Sequence, residues 1–266
     1  MSNKRFKDKL IIITGASQGI GAATGRLFAQ HGAGVVLLAR SADKLNALVD
    51  EIRLEGGLAE FHPIDLSDPE ATRSMGAELV ERYGPPDIVF HNAGAGQWKA
   101  VDETSAAEAQ VMMHVPYFAA FNLTATLLPA MIKRNSGHFI IINSPARFVT
   151  WPGSTGYASA RHAMVGFAQG LRGDLCGTKL RVTKVVVGET SSNYWDNNPG
   201  AQDRMPKITK LVGTMTSEQV AETVLKAACT QRRMVVDPFM LRVVFVLNRL
   251  TPSIVEHVVN ATGWKR

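Results

Sequence analysis

Four consecutive apolar residues, Leu10-Ile11-Ile12-Ile13, run into Thr14-Gly15-Ala16-Ser17-Gln18-Gly19-Ile20-Gly21. No other stretch restricts the fold as much. The apolar run reads as a buried strand, and glycines at 15, 19 and 21 break it into a loop. Residues 20–30 then read as a helix. Such a junction lets backbone approach a pyrophosphate closely, with free N–H groups and the positive end of the helix dipole facing the negative charge. The spacing is G-x-x-x-G-x-G rather than G-x-G-x-x-G, so the general dinucleotide fingerprint is not met. Taken alone, the loop leaves a plain turn open.

The strand–helix alternation continues along the chain. Strands are expected at 35–39, 59–64, 87–91, 138–143, 181–187 and 234–237, each a short, nearly continuous apolar run. Between them lie helical periods. One at 43–55 carries Leu45, Leu48, Val49 and Ile52 on one face. Another at 69–82 starts with Asp68 as N-cap and Pro69 at the first position. Helices follow at 105–115 and 117–134 with Pro116 between them, then at 157–176. A further helix begins at Thr216, whose capping-box partner is Gln219. Repeated β–α units of this kind predict an α/β fold: one doubly wound parallel sheet with helices on both faces. We expect a single domain over 1–240, with a lid at 189–215 and a C-terminal amphipathic extension at 241–266.

Charge and cysteines exclude other classes. The formal charge of +6 is spread along the chain, without a Lys/Arg run interleaved with aromatics, so nucleic acid is not an expected partner. Cys176 and Cys229 lack metal-ligand spacing and read as buried, reduced thiols of a cytoplasmic protein, with no metal site. Residues 1–9 are polar and basic, unlike a signal peptide, and no run of about 20 apolar residues is expected to span a membrane.

Four landmarks in order carry a resemblance to the short-chain dehydrogenase/reductase family over about residues 7–240. They are Thr14 to Gly21, Asp65 after the third strand, Asn92-Ala93-Gly94 after the fourth, and Tyr157 opening a helix thirteen residues beyond Ser144. The resemblance implies a Rossmann-type fold holding a nicotinamide cofactor. Gly15, Ser17, Gln18, Gly19, Ile20 and Gly21 would lie along the pyrophosphate. Asp65 would accept from the adenine amine with Leu66 beside it, and Asn92, Ala93 and Gly94 would line the adenosine ribose. An NAD site usually ends its second strand with an acid that binds the ribose 2′-OH. Here Arg40-Ser41 stand there, and a guanidinium with a hydroxyl suits a 2′-phosphate, so NADP(H) is expected.

In this family a Tyr transfers the proton, a Ser binds the same substrate oxygen, and a Lys one turn after the Tyr binds the nicotinamide ribose. Tyr157 and Ser144 match, but Arg161 occupies the Lys position. Arg keeps the positive charge and can donate to hydroxyls, although it cannot lose a proton. The Asn of the preceding long helix is replaced by Pro116, which should kink the helix and free the carbonyl of Met112. After the sixth strand the family's Pro-Gly reads Val187-Gly188, with Ser192 where a Thr usually meets the carboxamide.

The segment 189–215 takes the place of the family's substrate loop. Tyr194 and Trp195 could join Trp98, Phe148 and Trp151 around an apolar pocket, which suits a lipophilic carbonyl or alcohol. The basic, amphipathic 241–266 either packs over the substrate cleft or contacts a membrane surface. Resemblance also implies a homodimer or homotetramer. The leading expectation is an NADP(H)-dependent oxidoreductase using Tyr157, Ser144 and Arg161. The alternative is a cofactor-binding regulator or assembly subunit with little or no catalysis.

Overall fold

The computed structural model describes residues 4–94, 96–191, 198 and 200–265. Strands and helices alternate from the start: β1 (Leu10–Thr14), α1 (Gly19–Gln30), β2 (Gly34–Ala39), α2 (Ala42–Leu54), β3 (Leu58–Pro63), α3 (Pro69–Tyr83) and β4 (Ile88–His91). One long helix follows, built of α4 (Ala106–Met113), a π turn (His114–Phe118) and α5 (Ala119–Arg134). Then come β5 (His138–Asn143), α6 (Thr155–Asp174), β6 (Arg181–Val187), β7 (Glu189–Ser191), β8 (Thr214–Thr216), α7 (Ser217–Thr230), β9 (Met234–Asp237), α8 (Phe239–Leu250) and α9 (Pro252–Thr262).

Seven strands form one parallel sheet in the order β3-β2-β1-β4-β5-β6-β9, the doubly wound arrangement expected. Strand alternation sends Ile11 and Ile13 into the core on one face and Ile12 into the core on the other. This explains the unbroken apolar run: both faces are covered. Chain order reverses between β1 and β4, so a crevice opens at their carboxyl ends. The two short strands β7 and β8, absent from the sequence reading, pair with each other as a separate two-stranded sheet.

Local signals act as read. Asp68 accepts from the amides of Glu70 and Ala71 ahead of α3, and Thr216 and Gln219 close a capping box on α7. Three expectations change. The helices on either side of Pro116 are continuous, because a π turn, in which the Ala119 amide donates to the His114 carbonyl, takes up the proline without ending the helix. That helix, residues 106–134, is long and apolar enough by length and composition to cross a membrane. Its polar residues are spaced apart rather than absent, and Leu123, Leu127 and Met131 are buried in the core of the domain. Finally, both thiols are free, but Cys176, two residues beyond α6, is exposed, and Cys229, in the last turn of α7, is only half-buried against the core.

Candidate active site

The loop between β1 and α1 is closed against the end of β4. Gly15 and Gly19 have φ of +66° and +56°, where a side chain would be strained. A Cβ on Gly21 would overlap the Gly15 carbonyl, and one on Gly15 would lie 2.8 Å from Ala93 Cα. Asn92 Nδ2 donates to the carbonyls of Thr14 and Gly15, each at 3.1 Å. Thr14 Oγ1 accepts the amides of Asn92 and Ala93 at 3.0 Å and donates to the Phe90 carbonyl. Residues 14–15 and 92–93 are thereby one unit, a backbone cradle without room for side chains, which fits a dinucleotide. Gln18 precedes α1 and accepts from Lys44 Nζ. Ile20 packs on the core beneath.

At the neighbouring strand ends, Arg40 is exposed and Ser41 is the boundary residue of α2. Asp65 Oδ1 accepts the amide and hydroxyl of Ser67 at 2.9 and 2.8 Å. These two bonds, aided by the charge of Arg40, hold its carboxyl below the usual range. Leu66 turns its side chain into the core.

Helix α6 sets Tyr157 and Arg161 one turn apart, with the guanidinium carbon 4.8 Å from the Tyr157 ring centroid. The other edge of that guanidinium lies against Gly94, where a Cβ would sit 2.9 Å from Nη2. Arg161 is buried, its Nε has no partner, and no described carboxylate forms an ion pair with it. A buried donor left unsatisfied suits a ligand that carries hydroxyls. Asn143 Oδ1 accepts the Ser144 amide at 2.8 Å, and its Nδ2 donates to the Arg161 carbonyl at 3.1 Å. One side chain so ties the Ser144 turn to α6. Ser144 Oγ caps the 3-10 turn over Pro145–Arg147 by accepting from the Ala146 amide.

Above Tyr157, which is 7% exposed, lies Trp98, with ring centroids 5.6 Å apart, and Trp98 in turn packs on Trp151 at 5.1 Å. The Trp151 Nε1 is buried without a partner. Ala201, Met205 and Ile208 of the lid and Val255 and Val259 of α9 complete this apolar cluster. Arg204 fastens it: Nη2 reaches Glu103 Oε1 at 3.0 Å, and the guanidinium carbon lies 4.4 Å from the Trp264 ring centroid. Phe148 borders the cluster, but its ring meets Phe245 of α8 edge-on at 5.1 Å. Gly188, after β6, donates to the Asp237 carbonyl; a Cβ on it would meet Pro238 and Val212 at 3.3 Å. Ser192, Tyr194 and Trp195 lie outside the described residues. In the sequence Thr14 stands out only as the first residue of the glycine motif and Asn143 only as a strand end, with no task assigned to either side chain. Their one visible mark is a polar residue closing an otherwise apolar strand.

Residues 9–203 match the short chain dehydrogenase family. The chain belongs to that family. It is 30% identical to dehydrogenase/reductase SDR family member 7B of Xenopus tropicalis over 95% of its own length and 85% of the relative's. It is 34% identical to an uncharacterized oxidoreductase of Listeria monocytogenes over 84% of this chain and 91% of that one. Among solved structures it resembles a metagenomic short-chain oxidoreductase in complex with NADP, with a TM-score of 0.72 at 26% identity. That match covers 87% of this chain and 97% of the other. It also resembles a serine dehydrogenase complexed with NADP+, with a TM-score of 0.76 at 26% identity over 86% and 94%. This short-chain dehydrogenase is therefore an oxidoreductase of the nicotinamide-dependent type.

Proposed function

We propose that this short-chain dehydrogenase is NADP(H)-dependent and interconverts a carbonyl and a secondary alcohol on a lipophilic small molecule. The observation that carries the reading is the buried Arg161 guanidinium spanning Tyr157 and Gly94, with an unpaired Nε. The nicotinamide supplies or accepts the hydride when bound. The glycine cradle with Ser17 and Gln18 holds the pyrophosphate, and Asn92, Ala93 and Gly94 border the ribose side. Arg40 and Ser41 bind the 2′-phosphate, Asp65 accepts from the adenine amine beside Leu66, and Gly188 and Ser192 flank the carboxamide.

Tyr157 gives or takes the proton at its hydroxyl, and Ser144 donates a hydrogen bond to the same substrate oxygen. Arg161 holds positive charge beside the phenol and donates to ribose hydroxyls, the two tasks that the family divides between ammonium charge and N–H groups. The apolar ring stack of Trp98 and Trp151 supports a lipophilic substrate. NADP-bound relatives and Arg40 support the cofactor preference. Exposed Val111, Phe118, Phe121 and Ile132 along the 106–134 helix support a homodimer or homotetramer. We place the protein in the cytoplasm, a reading its two unpaired thiols support. We assign the exposed apolar residues of α8 and α9, such as Phe239, Leu250 and Ile254, to peripheral membrane contact.

NADPH oxidation with a panel of lipophilic aldehydes and ketones tests the activity. Tyr157→Phe should lower turnover on the order of 10²–10⁴-fold while leaving NADPH binding intact. Cofactor binding without turnover on any substrate would instead mark a binding protein. Arg40→Glu should move the NADP/NAD affinity ratio toward NAD by on the order of 10- to 100-fold, read by fluorescence titration. An unchanged ratio removes Arg40 from the phosphate site.

A further inference from the structure

At the edge of the sheet far along the order from the glycine loop, cations gather without an acid. Lys184, in the middle of β6, is 4% exposed and faces the same side as Val182 and Val186. Its register partner on β9 is Met234. Arg147, at the end of the turn that Ser144 caps, reaches the same place: its Nη1 donates to Met234 Sδ at 3.3 Å. Its guanidinium lies between the rings of Phe148 and Phe245, 5.5 and 5.6 Å from their centroids. Arg172 of α6 arrives from below, with Nη1 on the carbonyls of Val182 and Arg233 at 3.4 and 3.3 Å. Three side chains from β6, the Ser144 turn and α6 converge on one seam.

Nothing described there balances the charge. No carboxylate forms an ion pair with Lys184, Arg147 or Arg172 among the described residues. The Lys184 ammonium has no hydrogen-bond partner among them, and the buried Arg147 Nε has none. The acid on β9, Asp237, projects to the opposite face, where Thr223 Oγ1 donates to it at 2.7 Å. Burial first, and then the charges of Arg147 and Arg172, push the Lys184 ammonium down to about 8. An ammonium held in a largely buried side chain without a counter-ion is costly, and that cost falls when an anion joins it.

We propose that Lys184, Arg147 and Arg172 form a binding site for one oxyanion group, a carboxylate or a phosphate, at the seam of β6 and β9. Lys184 supplies a point charge and Arg147 a planar fork, the usual complement of such groups. Phe148 and Phe245 give the body of the ligand an apolar wall. The site stands apart from the cradle that receives the cofactor and does not depend on the proposed reaction.

The test is thermal unfolding of the full chain titrated with sodium phosphate, sodium acetate and sodium octanoate, ionic strength being held constant with sodium chloride. A saturable rise in Tm of a few degrees, about what tight ligand binding gives a domain of this size, is expected with at least one of them. Phosphate alone or the carboxylates alone would name the source. Lys184→Met should remove that saturable component and raise the ligand-free Tm, because it deletes an unpaired charge. Arg147→Met should also weaken it, and the exposed Lys226→Met should leave it intact. Anion shifts identical in the wild type, Lys184→Met and Arg147→Met would overturn the proposal, as would no saturable shift with any of the three.

Discussion

Arg161 is held at both ends, by the Tyr157 ring and by Gly94, so its position is set by packing rather than by a counter-ion. Arg161→Gln keeps donors but loses the charge. It should lower turnover at least 10-fold and alter the pH profile of kcat, while Arg161→Lys should keep a measurable rate. If both variants match the wild type, the charge has no part in the reaction. Thr14 has a different task, accepting two amides across the switch point. Thr14→Val should cost roughly 1–3 kcal/mol in urea unfolding and weaken NADPH binding, because two amides lose their acceptor. The family resemblance picked out Tyr157 and the position of Arg161, and helical spacing then set the two one turn apart. The tasks of Thr14 and Asn143 were not legible, since their partners lie 78 and 18 residues away and a lone hydroxyl or amide carries no periodic signal.

At the level of elements, the strands and most helices follow from patterns within a window of ten or fifteen residues, which is why their order could be read. Pro116 shows the limit. A proline inside a helical pattern forecasts a kink or a break, but whether the chain breaks or widens by a π turn depends on its surroundings in the fold, and here Pro116 is buried within the π turn. The same holds for α9. Its apolar side was visible, yet its destination was not, because the groove it fills is made by Trp98, Trp151 and the lid. Val259→Asp should therefore destabilise the protein by about 2–4 kcal/mol and raise the accessibility of tryptophan to a soluble quencher. Arg204→Gln, which removes the link among Glu103, Gly153 and Trp264, should raise quenching with little loss of Tm. Unchanged quenching in both would show that the cluster does not rely on this covering.

Across the whole molecule, two buried histidines give stability a pH dependence. His91 and His138 each place Nε2 2.8 Å from a threonine hydroxyl, and each leaves Nδ1 without a partner. Burial pushes them down to about 3 and about 4. Well above a pH of about 6.5 both are neutral in either state. Below it the unfolded chain takes up protons that the folded chain refuses, so stability falls as pH drops toward 4, by up to about 1.4 kcal/mol per pH unit for each histidine. Urea midpoints should decline from pH 7 to pH 5, and His138→Gln should flatten that slope; a flat wild-type curve would contradict the burial. The aromatic cluster has a further consequence in the order of synthesis. Roughly a hundred residues separate Tyr157 from Val259, which seals it. A chain growing from its N-terminus holds Trp98, Trp151 and Tyr157 open to the surroundings for the whole time that the intervening polypeptide is made. Until α9 arrives, the nascent chain carries this aromatic cluster without its last cover.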